Sequence, residues 1–96
     1  MIKVKIKPNS IIISGHAGYD VSGKDIVCAS VSAVAMTTLN AMLLFNSKAI
    51  KYETSEGLLK IDIINDDETT RKLMDNMIDV LENIKDHYPK NIKVER

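Results

Sequence analysis

The chain carries one cysteine, Cys28, and one of its two histidines, His16, stands twelve residues ahead of it. A thiol and an imidazole brought together form a nucleophile and its base. The imidazole takes the thiol proton, the thiolate attacks a carbonyl carbon, and the imidazolium then protonates the leaving group. Three of the four glycines, Gly15, Gly18 and Gly23, fall within nine residues between and beside this pair, where the backbone must take unusual angles or approach something closely. The intervening segment is long enough to fold back, so the pair can meet without help from distant sequence. A helix starting near Ser22 to Asp25 puts Cys28 in its first turn. Unpaired N–H groups and the macrodipole there favour a thiolate. Those amides, that of Cys28 included, could also hold a developing oxyanion. Asp25 or Asp20 could orient the imidazole.

Each of these residues also has a plainer reading. A lone cysteine in an apolar stretch can be a small core residue. Asp25 can be a helix cap, and Ser32 can hydrogen-bond back to the helix backbone. The glycines can simply shape a turn. His87, at the end of a second helix, suits that helix's negative pole and is given no functional role. Two non-catalytic functions stay open on the residues alone. One is a module binding protein or RNA, with Lys3, Lys5 and Lys7 on phosphate and Cys28 merely packed. The other is a redox-sensing thiol, for which a second, resolving cysteine is lacking within the chain.

The elements that must position the pair follow from periodicity. Ile2, Val4 and Ile6 alternate with Lys3, Lys5 and Lys7, the period of a strand with one buried face. The Lys7–Ser10 stretch is turn chemistry, and Ile11 to Ser14 is a β-branched run, so a hairpin opens the chain. Asp25 to about Asn46 reads as a long apolar helix. Ala49–Glu53 and Leu58–Ile64 read as two strands around a Thr54–Gly57 turn. Asn65 with Glu68 resembles a capping box that opens a second helix. Leu73, Met77, Leu81, Ile84 and Tyr88 lie along that helix's apolar stripe, with Met74 and Ile78 beside it, and Pro89 stops it. Ile92 and Val94 mark a last strand. The expectation is an α+β fold in ββαββαβ order, a mainly antiparallel sheet packed by two long helices, as a single domain over residues 1–96.

Composition narrows the classes of function. Thirteen basic residues balance thirteen acidic ones among 96, so a broad electrostatic footprint for nucleic acid is not expected, although a local basic stripe is compatible with the count. From Ile26 to Ser47 no residue is charged, long enough to raise a membrane span. Its serines, threonines and asparagines instead suit a helix buried between a sheet and another helix or subunit. The alternating start does not read as a signal peptide, which with a lone cysteine points to the cytoplasm and a reduced thiol. No membrane association, metal or cofactor is expected. The first helix is more apolar than one sheet face requires, and homodimerisation would cover the rest.

The string GHAGYD, followed after two residues by GKDIVCASVSAV, resembles the signature of the ribosomal-processing cysteine protease family, Prp: GHA-G-aromatic, a short spacer, then G-x-DIVCAAVSA. The motif spans roughly residues 14–34, and the likeness in length and element order covers the whole chain. The resemblance implies that His16 is the catalytic histidine and Cys28 the nucleophile, with Asp25 and Ser32 supporting the site. Gly15, Ala17, Gly18, Tyr19 and Gly23 then belong to the substrate loop. One departure is Ser30, where the family usually has Ala, a change that bears on substrate fit rather than chemistry. The resemblance further implies a homodimeric, cytoplasmic bacterial endopeptidase. Its partner would be the short N-terminal extension of a large-subunit ribosomal protein, and the balanced charge gives no reason to expect direct nucleic-acid contact; the alternative is a non-catalytic ribosome-associated protein- or RNA-binding module.

Overall fold

A computed structural model describes residues 1–15 and 24–96, the side chains of 24 and 25 excepted. Seven elements follow in order: β1 (Ile2–Lys7), β2 (Ser10–Ser14), α1 (Lys24–Asn46), β3 (Ile50–Ser55), β4 (Leu58–Ile63), α2 (Glu68–His87) and β5 (Ile92–Glu95). The expected ββαββαβ order is therefore observed. The five strands form one sheet in the order β3-β4-β2-β1-β5, antiparallel throughout except where β5 runs parallel to β1.

Alternation in the strands decides which face is covered. Ile2, Val4 and Ile6 are buried while Lys3, Lys5 and Lys7 are exposed, and the register carries this across the sheet. Val4 pairs with Ile13, Ile6 with Ile11, Ile11 with Ile61, and Ile50 with Ile63, so one face is an apolar floor. Both helices cover that floor. From α1 come Val27, Val31, Ala35, Leu39 and Met42, spaced three and four apart, and from α2 Met74, Met77, Ile78 and Leu81. The opposite face stays open and carries the lysines of β1. The apolar helix α1 is thus buried along one stripe only, and by length and composition it is long and apolar enough to cross a membrane.

Three boundaries differ from expectation for local reasons. Thr54 and Ser55, read as turn, continue β3 and pair with Leu59 and Leu58, which leaves only Glu56–Gly57 to reverse the chain. Gly57 has a φ of 72°, a left-handed conformation natural to glycine. The cap of α2 is Asp67 rather than Asn65: its carboxylate accepts from the Thr70 N–H at 2.7 Å. Asn65 is occupied by the preceding turn, where Ile64 and Asn65 both donate to the Ala49 carbonyl. Tyr88 caps the far end of α2 and is exposed instead of completing the apolar stripe.

The ends of α1 and α2 are tied to the hairpins. The Asn46 side-chain amide reaches the Asp67 carboxylate at 3.4 Å. Arg71 donates to the Asp66 carboxylate at 2.9 Å and to the Pro8 carbonyl and Asn9 side chain at 2.6 Å each, which clamps the β1–β2 turn to α2.

Candidate active site

Cys28 is the fifth residue of α1 as that helix is described, one position past the first turn. The regular pattern of a helix leaves its first four N–H groups without an intrahelical partner. In that pattern the amides free for an oxyanion are those of the first turn of α1. The thiol side chain is half-buried and packs against the edge of the core.

Helical spacing aligns Cys28 with Ser32 and Met36, each four residues on, along one flank of α1. All three line a cleft of about 200 Å³ between that flank and the sheet. The sheet's wall is the end where β2 meets β4 and the β3–β4 turn: Ile13 and Gly15, then Leu58 and Leu59, then Thr54 and Ser55. Ile2 of β1 completes the floor. The cleft is mostly apolar, with a few polar groups around its thiol, the composition of a site that grips a side chain and orients a backbone.

Gly15 roots the segment that leads to His16. Its φ is 87°, its N–H donates to the Gly57 carbonyl at 2.9 Å, and a Cβ built on it would stand 2.5 Å from the Met1 backbone carbonyl oxygen. Only a residue without a side chain fits there. Ser32 is exposed in the cleft and makes no hydrogen bond back to the helix among the described residues. It is Ser30 that does so, donating to the Ile26 carbonyl at 2.7 Å.

Gly15, Cys28 and Ser32, three of the residues singled out in the sequence, are therefore brought into one cleft. His16, Ala17, Gly18, Tyr19 and Gly23 lie outside the described residues, as does the Asp25 side chain. Met36, Leu58, Leu59, Thr54 and Ser55 were not singled out. Their residue types are those of any core or turn, and only the fold places them around the thiol. No cluster of metal-ligating side chains occurs among the described residues.

Comparison with known proteins places this geometry. A family model described as cysteine protease Prp matches residues 1–93. The ribosomal processing cysteine protease Prp of Staphylococcus aureus is 33% identical over 92 residues, covering 92% of this chain and 86% of the relative. Among solved structures, a Streptococcus mutans protein matches with a TM-score of 0.85 at 26% identity, over 98% of this chain and 90% of its own. The S. aureus processing protease, crystallised with a covalently linked product peptide, has a TM-score of 0.84 at 24% identity over 98% and 95% of the two chains, a likeness of fold.

Proposed function

The chain belongs to the cysteine protease Prp family, and from that premise we propose that it removes the short N-terminal extension of a large-subunit ribosomal protein precursor. The observation that carries this reading is a lone thiol set in the wall of an apolar cleft that it shares with Gly15, the residue directly before His16 in the sequence. The S. aureus relative is named for ribosomal processing and has been crystallised with a substrate peptide, which supports the choice of substrate.

In this reading the scissile carbonyl lies over Cys28. His16 takes the thiol proton, and the sulfur attacks the carbonyl carbon to give a tetrahedral oxyanion. Collapse of that intermediate expels the amine, which leaves with the proton from His16, and a thioester is formed. Water, deprotonated by the same imidazole, then hydrolyses the thioester and restores the thiol. Asp25 and Ser32 support the pair, Gly15 sets the exit angle toward His16, and Ala17, Gly18, Tyr19 and Gly23 contact the substrate. The enzyme acts in the cytoplasm as a homodimer and uses no metal or cofactor.

The test is to incubate the protein with the extended precursor and sequence any new N-terminus. One new N-terminus with the wild type and none with Cys28→Ala is the expected result. A precursor left intact by the wild type would overturn the reading.

A further inference from the structure

We propose that the substrate's main chain docks as an added strand on the free edge of β3, running out from the Cys28 cleft; this rests on the protease reading. The sheet order leaves β3 and β5 as its two edges. β5 lies four strand spacings from β3, about 19 Å, on the far side of the sheet. β3 ends in Thr54 and Ser55, which line the cleft together with Cys28. A chain held at the thiol therefore has one sheet edge within immediate reach.

The register identifies which backbone groups that edge offers. Ile63 donates its N–H toward β2, to the Asn9 carbonyl, and Ile64 donates toward β3, to the Ala49 carbonyl. Alternation along β4 then assigns Leu58, Lys60 and Asp62 to bonding with β3. Their partners Ser55, Glu53 and Lys51 spend their backbone groups inward. The N–H and C=O groups of Ile50, Tyr52 and Thr54 consequently point outward, unpaired by the ladder. Neither proline nor a bulge blunts this strand, and five of its six residues are exposed. Such an edge next to a reactive group suits recognition by strand addition, in which main-chain bonds hold the ligand and alternate side chains select it.

Side chains on β3 set the preference. Ile50 is buried on the helix-covered face, so Tyr52 and Thr54 share that face, while Lys51 and Glu53 belong to the open one. An added strand would set every second side chain beside Tyr52 and Thr54, toward the Met36 flank of α1, where apolar groups are favoured. The intervening ones would lie beside Lys51 and Glu53 and tolerate polar residues.

The experiment is an N-methyl scan of a peptide spanning the extension and its cleavage site. Each peptide is titrated against Cys28→Ala to give Kd without turnover, and assayed for kcat and KM with the wild type. Blocking one main-chain hydrogen bond should weaken binding about three- to tenfold. The expected pattern is a loss at every second residue on one side of the scissile bond, with the residues between them nearly unaffected. On the protein side, Tyr52→Pro removes an outward N–H that the β4 ladder does not use, a placement edge strands accept. It should raise KM by a similar factor at unchanged kcat, whereas Tyr52→Ala, which keeps the N–H, should raise it less. Sensitivity without alternation, or confined to the residues at the scissile bond, would overturn the proposal. So would an absence of peptide binding, or a folded Tyr52→Pro variant with wild-type KM. Tyr52→Pro dissociating a dimer without changing peptide Kd would also overturn it, because the edge would then be occupied by a second copy. A peptide that binds with the alternating pattern but is never cleaved would uphold the docking mode and overturn the protease reading.

Discussion

At the scale of single residues, the assignment turns on a thiol that the fold leaves half-buried in the wall of a cleft. Cys28→Ala deletes one small polarizable atom at the core's edge, so circular dichroism and the melting temperature should change little. Cleavage should fall on the order of 10³-fold or more, the scale at which removing a nucleophile acts. Residual activity close to wild type would end the thiol mechanism. His16→Ala should be silenced to a similar degree, because leaving-group protonation disappears together with thiol activation. Peptide affinity measured on His16→Ala should stay near that of Cys28→Ala, which separates a proton-transfer role from a binding one. A variant that cleaves normally would make His16 a bystander. The thiol and Gly15 stood out in the sequence by type and spacing, and Ser32 only through the family resemblance; the cleft brings the three together. The apolar wall did not stand out, since Leu58, Leu59 and Met36 look like any core residues until the sheet and helix bring them around the sulfur.

At the scale of elements, strands and helices declared themselves by period, and the misread boundaries were turns. Thr54 and Ser55 carry polar side chains that suit a turn as well as an edge strand, and only pairing with β4 decides between them. Asn65 and Asp67 are both competent caps, and the bonds made by the Ala49 carbonyl decide for Asp67. That cap gives a pH signature. The Thr70 backbone N–H holds the Asp67 carboxyl below its ordinary value of 3.8. The folded state therefore binds this proton less tightly than the unfolded state. The stabilisation is present above the unfolded value and lost as pH falls through the lower, folded one. The melting-temperature gap between wild type and Asp67→Ala should be widest at neutral pH, hold down to about pH 5, and close only as pH falls below the ordinary value of 3.8 and through the lowered, folded one. A gap independent of pH would mean that the carboxylate charge contributes nothing to the cap. Gly15 offers a second test of an element boundary. Gly15→Ala would force a Cβ into the Met1 carbonyl oxygen at a φ of 87°, and backbone is what must yield. A loss of about 1–3 kcal/mol is expected in denaturant unfolding, with cleavage reduced because His16 follows directly. Unchanged stability would show that the β1–β2 end adapts freely.

At the scale of the whole molecule, the unfinished surface is the outer face of α1. Ile26 and Leu44 are 60% and 88% exposed and stand eighteen residues apart, five full turns, so they share one side of the helix. Ala33, Thr37 and Asn40 fall between them on that side, with Met36 at its border. This stripe is opposite Val31, Ala35 and Met42, which face the sheet, and it is distinct from the flank that carries Cys28 and Ser32. Two copies could therefore meet through their α1 stripes without closing either cleft. α2 does not cover the stripe, since it packs on α1's other side, where Asn46 meets Asp67. An uncharged strip with exposed Ile26 and Leu44 at its ends, on a small chain, is a surface on which association would be favoured. Sedimentation at micromolar concentration should give twice the 10.7 kDa chain mass. Leu44→Glu places one charge at the exposed end of the stripe, where a lone chain tolerates it and two facing copies would bury it. That variant should shift to monomer while retaining its melting profile at low concentration, and Lys51→Glu, on the open sheet face, should not. A wild type that sediments only as monomer, or a Leu44→Glu variant as dimeric as the wild type, would remove the α1 interface. Because the cleft lies on a separate flank, monomeric Leu44→Glu should keep cleaving with an unchanged KM. If it lost activity while folded, the second copy would have to contribute to the site itself.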